Sequence, residues 1–280
     1  MKTASVALFV LVAGCATQAF SPVSVASGVS SPDAPEKNTC TETECPFPQV
    51  SKPLEPCPCD MVHVSGEYCP RVEQTCVAWL DTDKSPTSNS GIGPMRCAEF
   101  KSPTKCLSDK RVHKNFCIDT YENPNKKGSI PPVDISWYSA KASCESIGKR
   151  LCGDSEWTFA CEGEEMRPYP YGNGFHRNEE TCDQKHESMD PSLPRSRWPE
   201  FNHAHPSGAF LECKSSFGVF DQIANVDEWV VNESGHPYPS GLKGGYWTYK
   251  VRTRCRPMTE VHGPTHSFYQ QGFRCCKDTK

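Results

Sequence analysis

Eighteen cysteines are spread along a chain of 280 residues, and no other feature restricts its folding so strongly. Cysteines at that density point to an oxidising compartment and to a loop-rich fold stapled by disulfides. The remaining composition agrees with this. Twenty-five Pro and 19 Gly supply turn chemistry, and hydrophobic residues make up only 36%. Together with a mean hydropathy of −0.61, this argues against a helical bundle, a coiled coil or a multi-span membrane protein. Thirty basic residues face 34 acidic ones, so the net charge of −4 provides no basic field for nucleic acid. A cytoplasmic enzyme is not expected.

The N-terminus gives an address. Lys2 precedes an apolar run over residues 4–14, too short to cross a bilayer and suited to a removable export signal. Val12-Ala-Gly-Cys15 resembles a bacterial lipobox. On that reading residues 1–14 are a lipoprotein signal peptide and Cys15 is lipidated, with enough acyl chains to anchor where one alone is marginal. The expected location is then a bacterial membrane, periplasmic or on the outer surface. Cleavage after Ala19 or Ala26 is the alternative and would give a secreted protein. Either route leaves an odd number of cysteines for pairing.

Residues 15–56 are rich in Ser, Pro, Thr, Glu and Lys and are expected to form a disordered tether. Cys40 and Cys45 are candidates for a small loop within it. The folded part is expected over 57–280, beginning with a cysteine-dense stretch, 57–114, in which 61–68 reads as a strand. Ser136 is a suitable N-cap for a helix over 137–147, with Trp137, Ala140, Cys144 and Ile147 on one face and Gly148 closing it. Asp154 or Ser155 would cap a second helix over 156–161, ended by Gly163. Proline-rich loops follow, with strand-like segments near 217–220, 229–231, 243–249 and 272–276.

Several ordered motifs then carry a resemblance. Pro132-Val-Asp-Ile-Ser-Trp-Tyr leads to Gly148-Lys-Arg-Leu151, followed by Ser155-Glu-Trp157 and Tyr169-Pro-Tyr-Gly172. Phe217-Gly-Val-Phe-Asp-Gln-Ile-Ala-Asn-Val-Asp-Glu-Trp229, Lys243-Gly-Gly-Tyr-Trp247 and Gly272-Phe-Arg-Cys275 come after them in the same order. Together these resemble the formylglycine-generating-enzyme, or sulfatase-modifying-factor, family over residues 58–277. The resemblance implies one α+β domain of the C-type-lectin-like type, disulfide-rich, with little regular structure and two packed helices.

It also implies a chemistry that this chain lacks the residues for. The family's enzyme holds monovalent copper with two cysteines near the end of its Gly-Gly-Ser strand, soft thiolates being the natural ligands for Cu(I). Here Tyr249 stands at the first of those positions, the second has no counterpart, and Tyr246 replaces the serine. No catalytic residue is therefore assigned, and copper is not expected. Calcium is. By position, the resemblance implies ligation by the side chains of Asp221 and Glu228 and the carbonyls of Ala224 and Val226, with hard oxygen donors of the kind Ca²⁺ requires. The alternative is a structural turn in which Glu228 pairs with an arginine. A second calcium loop can be guessed only at Asp183. The resemblance further implies disulfides Cys144–Cys275 and Cys161–Cys255, with Cys276 turned to the opposite face and paired elsewhere.

Tyr246, Trp247 and Tyr249, with Arg252 and Arg254, suit a surface for an extracytoplasmic protein, peptide or glycan, although aromatic packing and structural ion pairs would use the same residues. Arg252, Arg254 and Arg256 alternate as on one face of a strand. The pairs His203/His205 and His262/His266 are more naturally solvated loop residues than metal ligands. Two functions stay open: a non-catalytic, calcium-stabilised binding module, and a divergent oxidoreductase with another metal or thiol site. Replacing Cys15→Ser should move the protein from the membrane to the soluble extracytoplasmic fraction, as read by fractionation and immunoblot. An unchanged distribution would refute the anchor.

Overall fold

In the computed structural model, residues 55–80, 96–186, 188–248 and 253–280 are described, all within one compact unit, Pro46–Lys280. Cys15, Cys40, Cys45, Tyr249 and Arg252 lie outside the described residues. Two four-stranded sheets form the frame. In the first, β1 (Met61–Tyr68) pairs antiparallel with β6 (Val112–Asp119) along its whole length, from Met61 opposite Asp119 to Tyr68 opposite Val112. β12 (Cys275–Asp278) and β7 (Arg150–Leu151) complete the order β1-β6-β12-β7. The second runs β10 (Met258–Thr259), β9 (Ser240–Lys243), β8 (Asp227–Val231), β11 (Gln271–Phe273). Its β8–β11 pair is parallel and its other pairs are antiparallel. Two small ribbons, β2 (Val72–Glu73) with β5 (Lys105–Cys106) and β3 (Cys76–Trp79) with β4 (Cys97–Phe100), make up the cysteine-dense part.

The two helices are short; α1 buries one face and α2 is buried along most of its length. In α1 (Trp137–Ser146), Ser136 caps the N-terminus by accepting from Ser139 N, and Trp137, Ala140 and Cys144 face inward. That spacing packs one turn after another on Trp229, Leu242 and Phe273. Ile147 departs from the expected face: the helix ends before it, at φ −111°, and its side chain is 58% exposed. Gly148 follows at φ +69°, the left-handed conformation that closes many helices. α2 (Asp154–Glu162) starts earlier than the sequence suggests. Its N-cap is Gly153, whose N–H donates to Glu156 Oε2 at 2.8 Å, so Glu156 rather than Asp154 or Ser155 satisfies the first turn. Trp157, Phe159, Ala160 and Cys161 are all buried, and the helix sits inside the main core.

Three expected strands differ in form. Residues 217–220 form no strand, only a bridge from Phe220 to Lys214. The Gly-Gly segment is not extended: β9 stops at Lys243, and Gly244 and Gly245 take φ +87° and +72°. A Cβ on Gly244 would lie 2.4 Å from the carbonyl oxygen of Gln222, so glycine is required twice over, by angle and by space. The C-terminal strand is broken at Arg274, one residue between β11 and β12, so the chain changes sheets there.

The disulfides follow this geometry. Cys144 is joined to Cys275 and Cys161 to Cys255. Consecutive residues on β12 point to opposite faces, and Cys276 is accordingly bonded to Cys152 instead. Cys57–Cys117, Cys69–Cys106, Cys76–Cys97 and Cys182–Cys213 complete seven bridges whose two ends are both described. Cys59 is disulfide-bonded as well. Non-reducing peptide mapping should recover Cys152 linked to Cys276 beside Cys144 linked to Cys275. Replacing both Cys152 and Cys276 by Ala should cost about 2–4 kcal/mol in denaturant unfolding; an unchanged midpoint would show that this staple carries no stability.

Candidate functional site: a buried carboxylate cluster and an aromatic strand end

Residues 221–229 link the loop after Cys213 to β8, and their backbone is unusual. Asp221, Ala224 and Asn225 adopt φ of +55°, +67° and +47°. For residues with a Cβ this costs about 1–2 kcal/mol each, so neighbours must hold the turn. Ala224 N donates to Gly244 O at 3.2 Å, and Asn225 Oδ1 accepts from His205 N at 3.0 Å. Gly272 lets β11 approach, since a Cβ there would meet Val226 Cγ2 at 2.9 Å. Ala224 thus keeps the left-handed angle for which a glycine would be the easier residue.

Glu228, at the end of this turn, is completely buried and belongs to an ion pair. Arg274 Nη2 lies 2.6 Å from its Oε1, Arg274 Nε 2.7 Å from its Oε2, and Trp157 Nε1 donates to the same Oε2 at 2.7 Å. Burial raises the Glu228 pKa, and the guanidinium and the indole oppose that rise. The arginine pairing weighed as the alternative for Glu228 is therefore present.

Asp221 is placed differently. Its Oδ2 accepts from Gly208 N at 2.6 Å, but Oδ1 is buried with no hydrogen-bond partner. Beside it lies a carboxylate that sequence reading passed over. Glu122 is completely buried; its Oε2 accepts from Ser207 Oγ at 2.8 Å, and its Oε1 has no partner. Burial pushes Asp221 up to about 6, and Glu122 is raised by burial and then by the charge of Asp221. Two adjoining buried carboxylates, each with an unsatisfied oxygen, form a costly arrangement that a hard cation would relieve. The donor set fits calcium on that ground. Among the described residues no three His, Cys, Asp or Glu side chains converge as a metal centre, so backbone oxygens would have to supply the rest. Val226 is fully buried.

Beyond Gly244-Gly245, where the family's copper ligands would begin, the chain presents rings. Trp247 is fully buried and Tyr246 nearly so, and both pack edge-on against Tyr269. The Trp247 indole N–H has no acceptor. All 15 cysteines among the described residues are in disulfides. The histidines pair by stacking: His203 lies on His186 with centroids 4.2 Å apart, and His262 on His266 at 4.2 Å. His205 packs instead against Phe210. Asp183 accepts from or faces His186 Nε2 at 3.2 Å. Arg254 and Arg256 lie outside any strand and contact different rings. Arg256 pairs with Glu162 and lies over Tyr68, whereas Arg254 lies over Phe100.

Residues 47–279 match the family model described as the sulfatase-modifying factor enzyme 1-like domain. The chain is 29% identical over 160 residues to the inactive C-alpha-formylglycine-generating enzyme 2 of Bos taurus, covering 54% of this chain and 51% of that one. It is 29% identical over 175 residues to the formylglycine-generating enzyme of Mus musculus, covering 54% and 45%. The chain thus spans about half the length of these curated relatives. Among solved structures, it is similar to PvdO from Pseudomonas aeruginosa, with 16% identity and a TM-score of 0.44 over 78% of this chain and 94% of that one.

The buried pair gives a measurable prediction. Arg274→Met should destabilise the protein by about 3–5 kcal/mol, because it strands Glu228 in the core. Arg274→Met combined with Glu228→Leu should recover part of that loss in denaturant unfolding. A double variant as unstable as the sum of the singles would refute the coupling.

Proposed function

We propose that this chain, which belongs to the sulfatase-modifying factor family, is a non-catalytic binding module held in shape by calcium. The observation that carries the reading is the end of the Gly-Gly segment. Soft thiolates are what Cu(I) chemistry needs, and here Tyr246 and Trp247 form an aromatic cluster while every described cysteine is locked in a disulfide. Tyr249 stands at the first copper-ligand position by sequence. The similarity to a relative named as an inactive formylglycine-generating enzyme is in keeping with this.

Export and a lipid anchor at Cys15 complete the proposal, supported by the N-terminal sequence and by a disulfide density suited to an oxidising compartment. The bound partner would be an extracytoplasmic protein, peptide or glycan. On this reading Asp221 and Glu122 hold the cation together with carbonyls of the turn, Ala224 and Val226, while Glu228 serves Arg274. The cation supplies positive charge where two carboxylates would otherwise repel, and it fixes a turn with three left-handed residues.

A ligand that binds only the folded state stabilises by mass action, about 2.7 kcal/mol at a hundredfold excess over its dissociation constant. EDTA should therefore lower the melting temperature, Ca²⁺ should restore it, and Asp221→Ala should abolish the response. Glu122→Gln should weaken it. A melting curve indifferent to calcium removes the metal from the proposal. Incubation with Cu(I) and a sulfatase-type cysteine peptide should yield no formylglycine by mass spectrometry; its appearance would replace the binding module with the oxidoreductase.

A further inference from the structure

Arg254 has no counter-charge among the described residues. Arg254 is half-buried, its guanidinium carbon lies 5.4 Å from the centroid of the Phe100 ring, and Phe100 is itself only 3% exposed. No hydrogen bond or ion pair engages Arg254 among the described residues. Its neighbours do not supply one. Arg177 Nε and Arg96 Nη1 both reach the same oxygen of Glu179, at 3.0 and 3.2 Å. Arg177 Nη1 also donates to Thr253 Oγ1 at 2.6 Å, which ties this group to the residue preceding Arg254. Glu179 is thus engaged by Arg96 and Arg177, and Arg254 is not among its ion-pair partners.

Stacking on a ring face satisfies the flat side of a guanidinium and leaves its edge of N–H donors to be filled. No Arg254 nitrogen is a buried atom without a partner, so that edge stays open to solvent and to an arriving acceptor. Partial burial pulls the Arg254 pKa down, with only the Tyr169 phenol opposing it. Arginine in this pose matches a carboxylate, whose two oxygens accept parallel hydrogen bonds from the fork.

We propose that Arg254 is a carboxylate subsite: its guanidinium, stacked on Phe100 and unpaired, takes an acidic group of the bound ligand. The assignment deepens the binding reading and rests on it for the molecule to which that group belongs. The same chemistry is offered by a peptide C-terminus and by a sugar acid. N-acetylglycine and glucuronate represent the two sources, and both act on the free protein, so the result is independent of the calcium and formylglycine assays.

The test is a melting-temperature titration of the full chain with each anion at fixed ionic strength, to remove general screening. One of the two should raise the melting temperature saturably. Arg254→Gln should lose the shift, and Arg254→Lys should need about tenfold more anion, since an ammonium cannot make the parallel pair. Phenylglyoxal labelling of the parent protein, read by peptide mass spectrometry, covers the case in which Arg254→Gln does not fold. Arg254 should be modified, and the effective anion should protect it. Protection by N-acetylglycine assigns a peptide carboxylate, and by glucuronate a sugar acid. Equal shifts in parent and Arg254→Gln, or labelling of Arg254 that neither anion slows, would overturn the subsite.

Discussion

The ion pair between Arg274 and Glu228 holds the frame together. Arg274 is the single residue between β11 and β12, so its side chain stands where the chain leaves one sheet for the other. Besides its two bonds to Glu228, it donates to Asp119 O on β6 at 3.3 Å and to Phe220 O at 2.8 Å. Trp157 of α2 completes the shell of Glu228. One guanidinium thus refers both sheets, a helix and the turn to a common point. Taking two charges out of water costs several kcal/mol per ion and is offset only when the remaining donors and acceptors are filled. Here both are fully buried and their bonds are filled, so the pair acts as a registration device: a shift of either sheet would strand a charge in the core.

The disulfides stabilise what this centre does not reach. Strands of two residues, such as β2 and β5, make too few ladder bonds to persist alone. Cys69–Cys106 spans that ribbon and Cys76–Cys97 the next. Elsewhere the bridges join elements distant in sequence. Cys144–Cys275 and Cys152–Cys276 close separations of 131 and 124 residues onto consecutive positions of β12. In the chain-entropy model such long loops gain most from closure. The strand pleat alone decides that these two bridges leave on opposite sides.

The resemblance and the local signals made much of this legible, and the failures share a cause. α1 was readable because Ser136 caps it and Trp137, Ala140 and Cys144 recur at helical spacing. Ile147 fitted the same periodicity, but the chain turns out of the helix one residue too soon, and periodicity says nothing of where backbone bonding stops. Gly153 could not be read as a cap because it has no side chain to do the work; Glu156 reaches back instead. The site was harder. Arg274 and Glu228 lie 46 residues apart, and Glu122 lies on the connection after β6, far upstream of Asp221. Nothing local in Thr120-Tyr-Glu122 announces a buried carboxylate. Contacts made only by the packing of two sheets leave no periodic trace along a chain.

That separation also explains how a scaffold of this family can keep its shape while its chemistry changes. The residues that build the centre, Gly244, Gly272, Trp157, Glu228 and Arg274, contribute close approach, a buried indole and a satisfied charge pair. None of them is a soft ligand. After the Gly-Gly turn, Tyr246 and Trp247 pack on Tyr269 and Met189 rather than on the ion pair. A change of side chain in that cluster alters local apolar packing without touching the registration of the sheets. Loss of Arg274 would strand Glu228 in the core, so the fold constrains that pair more tightly than the residues after the Gly-Gly turn.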